Sequence, residues 1–308
     1  MSDDAREDED QPPPVAAGTV RDLGYTPYDG PRRAQSTRYR TIASDLIRSS
    51  WRGFWRMKAW AITTAITVFV IGAIMYVLEG TGDLLRAGML IPRSEEMVMQ
   101  SFDYLSLSAF FLSLTVLSST VCDDLRTGAF VFYFARPLRP ADYVAGKLLG
   151  SVVIMAMIFV AGPLFLALFR IGLAGSGEIV ASIPVLPRTL VMGLIATAVF
   201  AVVPLAFSAT SSRRRYAVSL WAAFYLVLGP IAMQIAQATD IAALASFNIP
   251  SSLDALSFAI YGVQPTRGPI LPPSWLAALV MAGYVAGSLG FVYWRVSSAE
   301  RAGLGGSG

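Results

Sequence analysis

Residues 59–78 read AWAITTAITVFVIGAIMYVL, twenty positions without a charge or a proline. The hydrocarbon core of a bilayer is about 30 Å thick and takes about 20 apolar residues as a helix. Five further stretches reach that length: Phe102–Cys122, Val144–Phe169, Thr189–Phe207, Tyr216–Ala238 and Trp275–Trp294. Backbone groups in lipid have no water to bond, so spans are helices or closed barrels. The alternating pattern of barrel strands is absent. The sequence therefore predicts an all-α membrane protein with six transmembrane helices, over residues 59–294. Lys147 stands inside the third stretch, close enough to its end to snorkel into the headgroups. Glu79, Asp103 and Asp240 are read as lying at span ends.

Composition agrees with the spans. The 308 residues are 55% hydrophobic and only 15% charged, against about 25% charged in soluble domains, so polar groups cannot cover the surface. There is no histidine, which excludes imidazole relays, Ser-His-Asp triads and His-ligated metals. The single cysteine, Cys122, excludes an intrachain disulfide and a thiolate cluster, and reads as a small hydrophobe. With both termini on one side, that side carries 19 Lys and Arg against five on the other. By the positive-inside rule both termini are expected in the cytoplasm. The modest net charge of +3 hides this polarity and gives no reason to expect nucleic acid as a partner.

Residues 1–18 hold six acids and one Arg, followed by prolines, and the whole of 1–36 reads as a disordered or extended cytoplasmic tail rather than a signal peptide. Residues 295–308 read as a second cytoplasmic tail. Between the first tail and the first span, residues 37–58 place Tyr39, Ile42, Ala43, Leu46, Ile47, Trp51, Phe54 and Trp55 at helical spacing. Arg38, Arg40, Arg48, Arg52 and Arg56 occupy the complementary face. This predicts an amphipathic interfacial helix, with Arg48, Trp51, Arg52, Trp55 and Arg56 as the residues meeting membrane lipid. It serves either as an anchor alone or also as part of a dock for a cytoplasmic partner.

The loop from Cys122 to Lys147 is too aromatic for an ordinary connector: Phe130, Phe132, Tyr133 and Phe134 lie between acids and arginines. It is a candidate protein contact, or a loop whose aromatics lie among headgroups. Pro140 can take the first helical position, with Asp142 in the first turn.

Asp124-x-Arg126-x-Gly128, then Ala135-Arg136-Pro137-Leu138-Arg139, then Asp142-Tyr143 and Lys147, resemble the loop after the second span in ABC type-2 permeases, the membrane subunits of ATP-binding-cassette exporters. Tyr28-x-Gly30-x-Arg32, the amphipathic helix, the six spans and the Arg295–Glu300 tail agree in order. The branch holding the permease of the nitrous-oxide-reductase maturation exporter is the one it is most similar to. The resemblance implies a permease that dimerises, as homodimer or heterodimer, in the inner membrane. It implies a separate ATPase subunit docked through the amphipathic helix and through Asp124, Arg126, Gly128, Phe130, Arg136, Pro137 and Arg139. ATP and Mg would belong to that partner, and this chain would hold no cofactor. A phosphate-cradling loop needs G-x-x-x-x-G-K-[ST]. Before Gly146-Lys147, Ala141 replaces the first Gly, and Leu148 follows the Lys, so no catalytic residue is expected here.

Between the fifth and sixth spans, two apolar pieces flank Asn248-Ile-Pro-Ser-Ser and read as a re-entrant hairpin or an extracytoplasmic loop. Pro163, Pro204 and Pro230 interrupt the third, fourth and fifth spans and can kink them. Gly283-x-x-x-Gly287 allows close helix contact, within the chain or with a second copy. Three rival functions stay open: a mechanical subunit driven by an ATPase but moving no solute, a secondary transporter, and an intramembrane enzyme built on a Lys147–Ser151 dyad. The last two call for facing ionisable groups inside the spans, which the sequence does not display.

Overall fold

Polar and charged residues mark where the helices begin and stop, and they lie outside the apolar stretches that locate them. The computed structural model describes residues 38–80, 94–134, 138–175, 178–264 and 270–304, and no strand occurs among them. Among the described residues, six helical segments are long and apolar enough to cross a membrane: Arg56–Glu79, Glu95–Thr127, Pro140–Leu173, Ile179–Thr210, Arg214–Thr239 and Ser274–Arg301. Each contains one of the six apolar stretches. The ends run outward because backbone hydrogen bonding propagates the helix past the hydrocarbon limit.

In chain order, α1 (Arg38–Trp51) and a π-helical turn (Phe54–Lys58) lead into α2 (Ala59–Gly80). The second span is α3 (Ser94–Thr115), a 3-10 turn (Leu117–Ser119) and α4 (Thr120–Thr127), followed by the short α5 (Ala129–Phe134). The third is α6 (Pro140–Ala156), a π turn (Met157–Ala161) and α7 (Gly162–Leu173). The fourth joins α8 (Ile179–Ser182) to α9 (Val185–Thr210). The fifth is α10 (Arg214–Ala223), a π turn (Phe224–Leu228) and α11 (Gly229–Thr239). A 3-10 turn (Ala242–Phe247) and α12 (Ile249–Tyr261) precede the sixth, α13 (Ser274–Leu304).

The prolines explain two of the π turns. Pro163 and Pro230 have no N–H to offer the carbonyls of Phe159 and Leu226, four residues back, and each π turn encloses that carbonyl. The Phe159 carbonyl then lies against Gly193 of α9, where a Cβ would collide with it. Pro204 stands within a continuous α9 and has no such turn.

The second span is the most enclosed, with 78% of its apolar window buried, against 22% and 17% for the fifth and sixth. The last two therefore turn most of their apolar surface outward. Around the second and fourth spans lie Phe110, Phe159, Phe200, Trp221 and Tyr225. Phe110 stacks on Tyr225 with ring centroids 4.4 Å apart, and the Trp221 indole N–H donates to Ser113 Oγ at 2.9 Å. At one end of these spans Glu95, in the first turn of α3, meets Arg188 at 3.0 Å and Arg170 at 4.0 Å.

Two features refine the reading. Asp103 lies about two turns from the helix start near Glu95, and its carboxyl lies beside that of Asp254 of α12. Two carboxyl groups thus face each other where the sequence displayed none, because Asp254 lies far along the chain on a separate helix. Second, added Cβ atoms at Gly283 and Gly287 would meet nothing within 4 Å, so this pair packs against no other part of the described chain.

Candidate functional site

Gly146-x-x-x-Gly150 near the start of α6 forms a groove, and α1 lies in it. A Cβ at Gly146 would stand 2.7 Å from Ile42 Cβ and 2.8 Å from the Tyr39 carbonyl oxygen. At Gly150 it would stand 2.8 Å from Leu46 Cδ2. Only glycine permits this approach, which buries Ala43, Leu46 and Ser50 of α1. The outward side of α1 keeps Arg48 and Trp51 exposed, and Arg52 follows them.

The adjoining loop is anchored to the same helix by charge. Lys147 Nζ lies 2.7 Å from Asp124 Oδ2, with side chains 10% and 17% exposed. The Tyr143 hydroxyl donates to the same oxygen at 2.6 Å. Lys147 therefore does not snorkel; a buried ammonium needs a paired carboxylate, and Asp124 supplies it. Tyr143 is fully buried, with Phe130 against it edge-on at 5.1 Å and Tyr133 at 5.5 Å. Burial, with the carboxylates of Asp124 and Asp45 nearby, pushes the Tyr133 phenol up to about 12. It keeps its proton across the physiological range. The 3-10 turn before α4 leaves the N–H groups of Val121 and Cys122 without helical acceptors. Ser208 Oγ of α9 accepts both, at 2.8 and 3.0 Å. Val292 and Val296 of α13 join the same apolar cluster. The loop is thus fastened to the third, fourth and sixth spans.

The residues read as docking contacts divide accordingly. Asp124 and Phe130 face inward and hold the loop's shape rather than offering a surface. Gly128 ends α4 in the left-handed region, at φ +67°, its N–H bonded to the Asp124 carbonyl. Arg126 is 65% exposed and only 3.9 Å from Asp123, a weak surface pair. Arg139 is exposed; its N–H donates to Asp142 at 3.3 Å, and Pro140 opens α6 as expected. Arg136 and Pro137 lie outside the described residues, as do residues 1–36 and the side chain of Trp55. Arg56 is half-buried. Arg126, Arg139, Arg48, Trp51 and Arg52 are the members that present a surface.

The Lys147–Ser151 dyad is not assembled: the amine is on Asp124, and Ser151 Oγ donates to the Lys147 carbonyl at 2.8 Å. No group of three His, Cys, Asp or Glu converges on a metal-sized site among the described residues. Sequence reasoning missed the Gly146–Gly150 groove. Its small-x-x-x-small spacing was visible, but at the mouth of an apolar run it read as part of the span.

No protein-family model and no curated protein sequence matches this chain. The functional reading therefore rests on the chain's own residues and on the motif resemblance.

Proposed function

We propose that this chain is the permease subunit of an ATP-binding-cassette transporter, forming a membrane pathway for export and coupling to separate ATPase subunits that bring ATP and Mg. The observation that carries this reading is the double attachment to α6. An amphipathic interfacial helix, α1, sits in its glycine groove, and the Asp124–Lys147 pair fixes the loop to the next turn. A force applied to the exposed Arg126, Arg139, Arg48 or Trp51 passes into α6 and on to the π turn before Gly162-Pro163. Transport then requires the ATPase to contact this platform differently in its two states.

The remaining parts of the proposal follow the same surfaces. The Lys and Arg distribution supports an inner-membrane protein with both termini and this platform in the cytoplasm. The open Gly283–Gly287 pair, on a span that buries little, supports a second permease copy packed there. The Ala242–Phe247 turn and α12 make the re-entrant hairpin between the fifth and sixth spans. Its turn is buried in protein around Asn248, whose side chain caps α12. The test is Arg139→Glu alone and with Arg136→Glu. Both variants insert normally and lose ATPase co-purification; unchanged binding removes the docking role. One observation favours secondary transport instead, the Asp103–Asp254 carboxyl pair, and proton-driven uptake by the purified chain without an ATPase would select it.

A further inference from the structure

A cavity of about 200 Å³ lies between the first three spans and is lined by Ala61, Thr64, Ala65, Met157 and Gly162, among other residues. It exceeds the 150 Å³ apolar cavity that suffices to hold a benzene ring. Its lining includes residues of two of the three π-helical turns, Met57 from Phe54–Lys58, and Met157 and Ile158 from Met157–Ala161. Ala65 and Met157 are exposed, so it opens sideways between the first and third spans, where lipid stands. One wall is polar. Thr64 is 7% exposed and its hydroxyl has no partner, whereas Thr63 and Thr67 beside it each donate to the carbonyl four residues back. Arg56 Nε and Trp60 Nε1 are also buried without partners. Neither lines the cavity: Trp60 stacks on Phe111 of the second span, and the Arg56 carbonyl accepts from Thr115 of the same span. The Thr64 hydroxyl can donate, so what completes it is an acceptor inside an otherwise apolar cavity. Exposed cations, Arg52 and Lys58, stand near the start of the first span.

We propose that this cavity is a binding site for one anionic diester phospholipid. An ester carbonyl accepts from Thr64, an acyl chain enters the cavity, and the phosphate lies toward the end of the span where Arg52 and Lys58 are exposed. This goes beyond the permease reading and does not depend on an ATPase. A phospholipid fits the order of groups: phosphate at the interface, ester carbonyls below it, then hydrocarbon. An annular lipid makes no demand on a hydroxyl inside the helix bundle.

The test is photolabelling of the full chain in nanodiscs with diester phosphatidylglycerol carrying a diazirine on one acyl chain, and with its diether counterpart, which lacks the carbonyls. The proposal expects the label on the peptides bearing Ala61–Val68 and Met157–Gly162. It expects the diester to label about fivefold more strongly than the diether, the worth of one hydrogen bond. Thr64→Val equalises the two lipids, and Ala65→Phe, at the exposed mouth, abolishes both labels. Size-exclusion profiles identical to the parent protein show that these variants fold. Equal labelling by diester and diether in the parent protein, an unchanged preference in Thr64→Val, or labelling that survives Ala65→Phe overturns the site.

Discussion

Replacing Lys147 with Met tests whether the loop is held by the buried pair. Two unit charges 3–4 Å apart at an effective dielectric near 20 attract by about 4–6 kcal/mol. The 10% and 17% exposures leave water little access to either side chain. Lys147→Met leaves the Asp124 carboxylate buried with only the Tyr143 hydroxyl, and losing one partner of such a pair costs about 3–5 kcal/mol. The double variant Asp124→Asn with Lys147→Met removes both charges and keeps an acceptor for Tyr143, so its cost falls to about 1–2 kcal/mol. The double change is thus less harmful than the single one. The assay is unfolding by sodium dodecyl sulfate in mixed micelles, followed by tryptophan fluorescence, on the two single variants and the double variant. A Lys147→Met variant within about 0.5 kcal/mol of the parent refutes the reasoning. So does a double variant whose cost equals the sum of the singles, since unpaired residues add.

Three further outcomes follow from named contacts. Gly193→Ala should destabilise by about 1–3 kcal/mol in the same assay, although alanine is favoured by about 1 kcal/mol in a free helix, because its Cβ meets the Phe159 carbonyl; a stabilised variant would disprove that packing. Gly150→Leu should release α1 from α6, read as faster cleavage by trypsin after Arg48 and Arg52, and unchanged cleavage would contradict the groove. Burial and the neighbouring Asp103 carboxyl raise the Asp254 carboxyl well above the ordinary carboxylate range. Above the ordinary carboxylate range the folded chain keeps a proton that the unfolded chain releases, so this group's contribution to stability is full at acid pH and is lost as pH rises through its raised folded value. Asp254→Asn should flatten that slope in thermal melts, and an unaltered slope would place its origin elsewhere.

The spans were legible because burying backbone in lipid demands long apolar runs, and hydropathy along the chain records them directly. The proline start at Pro140 was legible for a local reason, since a proline's fixed φ suits the first helical position. What escaped was set by distance along the chain. Lys147 looked like a snorkelling residue because its carboxylate, Asp124, lies on the far side of an aromatic loop. The neighbour of Asp103 escaped because Asp254 is on α12, far along the chain. Phe130 counted as a docking aromatic until the fold placed Tyr143 beside it. The π turns were encoded in Gly162-Pro163 and Gly229-Pro230, but a proline states only which hydrogen bond is lost. How the helix absorbs the loss depends on what packs there, here Gly193 against the freed carbonyl.

The central claim is that an ATPase works on the α1 and α4–α5 platform. Its most direct test is affinity purification of the tagged chain from its native membranes in mild detergent, with mass identification of what accompanies it. The account predicts a stoichiometric partner bearing a phosphate-binding P-loop, retained by the parent protein and lost from Arg139→Glu. Repeated crosslinked preparations containing no such ATPase would contradict it.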